Sequence, residues 1–183
     1  MDPNFVNRLA AAAIGQTYNQ YAESRLLRER LRAYLADRAD AVVVLVGEAA
    51  GYRGARVSGI PFTSERQLTG TGLAEASATI VHRAIAKLGI EKEVLLWNVV
   101  PTHPGTASSN RSPRRDEIAA AAPFLEEMLR DRVAIAVGRT AQAATGALYV
   151  RHPSHGGATE FEEGLREAFA TIRRRRARPR RFS

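Results

Sequence analysis

Cysteine is missing from all 183 residues of the chain. That absence excludes a disulfide framework, a thiolate-bound metal and an iron–sulfur cluster held by cysteines. No apolar run approaches the roughly 20 residues that a membrane-spanning helix needs. The N-terminus also lacks the charged, apolar and small-residue order of a secretory signal, so the expected location is cytoplasmic. There is no G-x-S-x-G, no Walker A loop and no proper G-x-G-x-x-G, which argues against a small-molecule hydrolase or a nucleotide-binding domain. His103, His152 and His155 have no acidic or thiol partner at a matching spacing, and no metal or other cofactor is expected. No internal repeat is visible. What is present is ordinary for one globular domain: 45% apolar residues and a single Trp, long enough to bury a good core.

The formal net charge is +8, and its location matters more than its size. The stretch 173–181, RRRRARPRR, holds seven arginines and no acid, so the rest of the chain is close to balanced. The reading is a single domain over residues 1–172 followed by a basic, disordered tail over 173–183. Such a tail attracts nucleic acid or another polyanion through phosphate contacts and counterion release. The plain alternative is a solubilising tail.

Strand and helix signals alternate along the chain. Residues 3 to 39 read as helix, most strongly at Leu26, Leu27, Leu31, Tyr34 and Leu35. The arginines at 25, 28, 30 and 32 lie around that stretch, either as a solvated face or as a phosphate-binding surface. Ala41–Val46 is an uninterrupted apolar run rich in valine, the composition of a strand buried on both faces, and it ends at Gly47. A loop with glycines at 47, 51, 54 and 59 follows. Helical spacing returns over Leu73–Leu88, with Gly89 as its stop. Val94–Val99 is the second strand and Asp116–Arg130 the next helix, acidic toward its start as the helix dipole favours. Val133–Val137 and Ala147–Arg151 are further strands, with short helix over Thr140–Thr145 between them and a last helix over Thr159–Arg173. The pattern predicts an α/β fold, a three-layer α/β/α arrangement around a central four-stranded parallel sheet. Trp97 reads as core.

In open parallel sheets, ligands bind beyond the carboxyl ends of the strands. Three such ends carry distinctive residues: Gly47–Glu48, Asn98 and His152. An Asn offers a donor and an acceptor, which suits a pyrimidine edge presenting a carbonyl beside a ring N–H. A neutral His can donate to an oxygen that gains charge as a bond breaks. Glu48 can polarise a water, and Phe62 offers a ring for a base to stack on. Singly, each has a structural alternative: Asn98 as a turn cap, His152 as a satisfied structural histidine, Phe62 as core.

These residues also sit in motifs. GEAAGYRG, starting at Gly47, resembles the G-E-A-P-G motif of the uracil-DNA glycosylase superfamily, most closely its family 4 branch. SGIPF is similar to the segment that carries the stacking aromatic. WNVVPTHPGTASSNRSPRRDEI resembles the family 4 stretch running from the base-reading asparagine through N-R-x-P to E-I, and HPSHGG the H-P-S motif. The resemblance spans roughly residues 41 to 165. It implies a monomeric enzyme that flips uracil out of single- or double-stranded DNA and hydrolyses its N-glycosidic bond, leaving an abasic site. Residue by residue, Asn98 would bind the uracil edge, Phe62 stack on the base, and His152 stabilise the departing uracil anion. Glu48 sits in the water-activating motif, the backbone of Ala49 and Gly51 would shape the pocket, and Ser154 would contact a phosphate. Tyr52, Arg53, Arg151 and His155 are candidate DNA contacts, and Tyr52 is also a candidate to exclude the methyl of thymine.

The departures are specific. Family 4 enzymes hold a four-iron cluster with four cysteines, and Thr102 and Ala121 stand where two of these would fall. Ala50 replaces the motif's proline. No intercalating leucine follows H-P-S, which leaves Arg151, His155 and Glu160–Phe161 as candidates to wedge the duplex. Family 1 enzymes place an aspartate where Ala49 stands. That change keeps a second reading open, a non-catalytic sensor of uracil-containing or abasic DNA.

Overall fold

The structure, a computed structural model, describes residues 2–177. Its centre is a sheet of four parallel strands, β1 (Val43–Ala49), β2 (Val94–Val100), β3 (Val133–Val137) and β4 (Leu148–Val150), in the order β2-β1-β3-β4. Along β1 the side chains alternate between two cores. Val44 and Val46 join Leu95, Trp97 and Val99 on one face, whereas Val43 and Leu45 join Leu96, Ile135 and Val137 on the other. The period of two that separates them is that of any strand, and both faces are apolar because helices cover both.

The first face is covered by α1 (Phe5–Ala11), α2 (Gln20–Glu23), α3 (Arg25–Asp37), α7 (Arg115–Leu129) and α8 (Arg139–Thr145). Trp97 is fully buried there, edge-on to Phe5 with ring centroids 5.6 Å apart. The second face is covered by α6 (Ala76–Leu88) and α9 (Ala158–Ala177). Two short helices, α4 (Ala55–Ser58) and α5 (Glu65–Thr69), interrupt the long connection from β1 to α6. This is the expected three-layer α/β/α fold. None of the described helices is long and apolar enough to cross a membrane.

Several boundaries differ from expectation. The N-terminal region is three helices rather than one. Gly15 takes a positive φ of 52°, and the Asn19 and Ser24 side chains cap α2 and α3 by accepting backbone N–H bonds. The arginines of α3 are occupied by protein partners: Arg25 by Glu29, Arg28 by the Tyr21 and Ala22 carbonyls, Arg30 by Glu65 and Arg32 by Asn7. That favours a structural over a phosphate-binding role. α6 begins at Ala76, not at Leu73, which is exposed. β1 does not stop at Gly47. It continues to Ala49 because β2 runs alongside, pairing Gly47 with Asn98 and Ala49 with Val100. At the other end, the expected disordered tail is helical from Arg173 to Ala177. The remainder of that stretch, 178–183, lies outside the described residues.

Candidate active site

Gly47 is the point on which the first group of candidates converges. An added Cβ there would lie 2.3 Å from Phe62 Cζ and 2.7 Å from Asn98 Oδ1. A glycine inside a strand often marks such a close approach, and here no side chain fits between the ring and the amide. Phe62 holds a φ of 52°, an uncommon conformation for a non-glycine residue. The segment around it is tied down: Ser58 Oγ donates to the Thr63 carbonyl at 2.6 Å, and His82 Nε2 meets Thr63 Oγ1 at 3.1 Å. Burial depresses the His82 pKa, and a hydrogen bond to the Phe62 backbone opposes that shift. Asn98 and Phe62 are both buried.

The second group opens onto a cleft of about 570 Å³ lined by Glu48, Ala49, Gly51, His152, Ser154 and His155, among others. Thr140 Oγ1, at the start of α8, donates to Glu48 Oε2 at 2.7 Å. Glu48 Oε1 makes no hydrogen bond among the described residues. His152 follows β4, and its Nδ1 lies 2.8 Å from Ser154 Oγ and accepts the Ser154 backbone N–H at 3.2 Å. A nitrogen that accepts a backbone N–H carries no proton, so the hydrogen of the neutral ring sits on Nε2. His155 Nδ1 lies 3.0 Å from Ser154 Oγ and completes a chain of three side chains. Burial pushes the His152 pKa below its ordinary value; the Glu48 charge opposes that shift and the nearby His155 adds to it. The result is a neutral imidazole at pH 7 whose free N–H can donate to a developing anion. Chemically, the cleft holds the Glu48 carboxylate and one such donor.

A carboxyl that sequence reasoning missed stands between this cleft and an adjoining one of about 460 Å³. Glu75, just ahead of α6, lies over the bare Cα atoms of Gly51 and Gly54; a Cβ on either would fall 2.1 or 2.2 Å from its carboxyl oxygens. Burial raises its pKa, and its side chain makes no hydrogen bond among the described residues. Gly51 and Gly54 therefore serve to admit Glu75. Tyr52 and Arg53 line this second cleft with Asn110, Ser154 and His155, and the Arg53 guanidinium lies 5.1 Å from the Tyr52 ring centroid. Tyr52 belongs to this cleft and does not share the Gly47 corner with Phe62 and Asn98.

The surrounding loops are cross-tied. Asn110 Oδ1 accepts the Tyr52 backbone N–H at 2.9 Å, joining the N-R-S-P loop to the loop after β1. Arg111 grips the fully buried Glu117 carboxylate with both terminal nitrogens and holds its pKa down to about 2. His103 is buried with its ring nitrogens 2.7 Å from the Ala50 and Thr106 carbonyls, which makes it a clamp and not a ligand. At the positions where the family 4 cluster would be bound, the Thr102 hydroxyl meets that of Thr17 at 2.6 Å and Ala121 is packed in the core. With hydroxyl and methyl groups there and no thiolate in the chain, this donor set does not fit an iron–sulfur cluster.

Of the wedge candidates, Phe161 is fully buried and is corrected to core, since α9 turns it onto the sheet. Arg151 and His155 are exposed, and Arg151 Nη2 reaches the His155 carbonyl at 3.4 Å. Thr140 and Glu75 went unread for a common reason: each belongs to a helix start with no motif, and only the fold brings it to the cleft. For Thr140, its position right after a third glycine-ended strand, Val133–Val137 with Gly138, was the available signal.

Comparison with known proteins bears on the family and the fold. A family model described as Uracil DNA glycosylase superfamily matches residues 34–173. No curated protein sequence matches the chain. Among solved structures, the crystal structure of wild-type SMUG2 from Pedobacter heparinus superposes with a TM-score of 0.65 at 14% identity, covering 93% of this chain and 98% of that one. At that identity the likeness concerns the fold alone.

Proposed function

The chain belongs to the uracil DNA glycosylase superfamily, and on that premise we propose that it excises uracil from DNA. The observation that carries this reading is the pairing, across one cleft, of His152 with its free Nε2–H and Glu48 with an unoccupied carboxylate oxygen. The uracil nucleotide first leaves the stack, at a cost of a few kcal/mol. Its ring stacks on Phe62, and the Asn98 amide accepts from N3–H and donates to O4. As the C1′–N1 bond breaks, its electron pair passes to the base, and His152 Nε2–H stabilises the charge at O2. A water held by Glu48 adds to the oxocarbenium-like C1′ and gives up its proton to the carboxylate. The departing uracil anion takes up a proton and Glu48 gives its own back to solvent, which leaves free uracil, an abasic site and the carboxylate restored.

Ser154 has two parts in this reading: its hydroxyl orients His152, and its neighbourhood receives a backbone phosphate. Ala49, at the end of β1, offers a methyl group where family 1 has a carboxylate, so within that motif Glu48 is the group left to activate water. The non-catalytic sensor rests on the same substitution. Uracil-containing single- and double-stranded oligonucleotides, incubated with the protein and then treated with alkali, distinguish the two. Strand cleavage is expected for the wild type, with Asn98→Ala and His152→Ala each slower by about a hundredfold or more. Binding without cleavage at any protein excess would establish the sensor instead.

A further inference from the structure

The four arginines Arg173–Arg176 are exposed at the end of α9. Successive residues of a helix point about 100° apart, so four in a row surround it with positive charge. Arg173 donates to Glu93 Oε1 at 2.6 Å and Arg174 to Thr171 Oγ1 at 3.0 Å. Arg175 and Arg176 make no side-chain hydrogen bond or ion pair among the described residues. The sequence beyond them adds three more arginines and no acid up to residue 181. Charge of this density, held largely unpaired, suits a polyanion.

Its position decides which polyanion contact it can make. Glu93 immediately precedes β2, and Ile172 packs in one core with Val43 and Val94, the first residues of β1 and β2. The arginines therefore stand at the amino ends of the strands. α9 starts at Ala158, beside the H-P-S loop and the cleft at the carboxyl ends. Along the helix the two are separated by about 25 Å. Bending even 20–30 base pairs by 40–90° costs roughly 1–6 kcal/mol, and wrapping from one pole to the other demands a sharper bend over a shorter length. A duplex that crosses the cleft at right angles to α9 passes the arginines by.

We propose that the arginine-rich end of α9 is a second nucleic-acid surface, one that holds a separate DNA segment while the cleft holds the first, so that one molecule bridges two. The identity of the first segment rests on the glycosylase reading; the second contact does not. Hopping between neighbouring segments would then be a built-in way of searching DNA.

The test captures the protein on a bead-bound, uracil-containing oligonucleotide and adds a fluorescent lesion-free duplex. Wild type is expected to retain the second duplex. Arg174→Gln/Arg175→Gln/Arg176→Gln, which keeps the Arg173–Glu93 pair, should retain about tenfold less and lower the salt slope of that contact by about 2 to 3. Its excision from a short oligonucleotide should stay within about twofold of wild type, and the triple lysine variant should restore capture. The proposal is overturned if wild type captures no second duplex, if capture and first-oligonucleotide binding fall in parallel, or if anionic vesicles are bound and duplex is not. Capture without excision defeats the glycosylase reading and leaves bridging standing; excision without capture does the reverse.

Discussion

The two edges of the sheet handle charge in opposite ways. At the amino edge, Asp37 is shared between Arg38 and Lys92, and Glu93 is matched by Arg173, all on or near the surface. On the side of the cleft, Glu75, His82 and His152 are partly buried and form no ion pair among the described residues, and their pKa values move as desolvation dictates. Glu117 is the exception there, buried and fully paired. Desolvated titratable groups outside ion pairs cost stability, so their concentration along one edge marks it as the candidate working one. The paired charges and the arginine crown mark the other as a surface that meets solvent and polyanions.

The largest expected effect comes from the exception. Glu117→Ala takes the acceptor from the Arg111 guanidinium, itself 32% exposed, and from the Arg114 backbone N–H, and should cost about 2–3 kcal/mol, the range for losing charge-assisted hydrogen bonds at a buried carboxylate. Urea unfolding measures it; a loss below about 1 kcal/mol would place Glu117 among the surface pairs. The orienting bond at His152 is worth less. Ser154→Ala removes one hydrogen bond of about 1 kcal/mol and leaves the backbone N–H, so excision should slow about five- to tenfold. An unchanged rate would separate Ser154 from the tautomer of His152.

The unpaired groups also give the carboxyl edge its own pH signature. The folded-state pKa values of His82 and His152 lie below the ordinary 6.5. As pH falls through that value the unfolded chain takes up protons that the native state does not, so stability is lost on acidification from neutrality toward their folded pKa values. The limit is about 1.4 kcal/mol per pH unit for each histidine. Glu75 has the opposite sign: its folded pKa lies above 4.5, and stability is lost as pH rises from there through the folded value. Melting curves from pH 7.5 to 5 should therefore show a slope that His82→Asn reduces, and Glu75→Gln should stabilise the protein near pH 7. A slope that neither change moves would remove the contrast between the edges.

Much of the working edge was legible in the sequence. Glu48, Asn98 and His152 announce themselves because apolar runs of four to eight residues end beside them, and a parallel sheet has no choice but to align such ends. The register was less legible. β1 runs past Gly47 because β2 is there to pair with it, and no local signal in the chain reports a neighbouring strand. Glu75 and Thr140 were hidden for the same physical reason, since their chemistry depends on contacts with residues 24 and 92 positions away. The long N-terminal helix dissolved into three because single side chains, Asn19 and Ser24, outcompete continued helix at their own positions.

The smallest expected effect tests the amino edge. Lys92 is 76% exposed and Asp37 51%, so the dielectric around their pair is close to that of water. Asp37 also keeps Arg38 when Lys92 is removed. Lys92→Ala should thus change stability by less than about 1 kcal/mol, and the change should vanish in high salt. The same substitution removes one cation from the pole that carries the arginines of α9. If charge there acts as a field and not as a set of fixed contacts, capture of a second duplex should fall slightly below wild type at low salt, and that deficit should vanish at physiological salt. A loss in Lys92→Ala as large as that of the triple arginine variant would mean that the second surface is a shaped site extending to β2. The molecule would then carry a shaped site at each edge of the sheet.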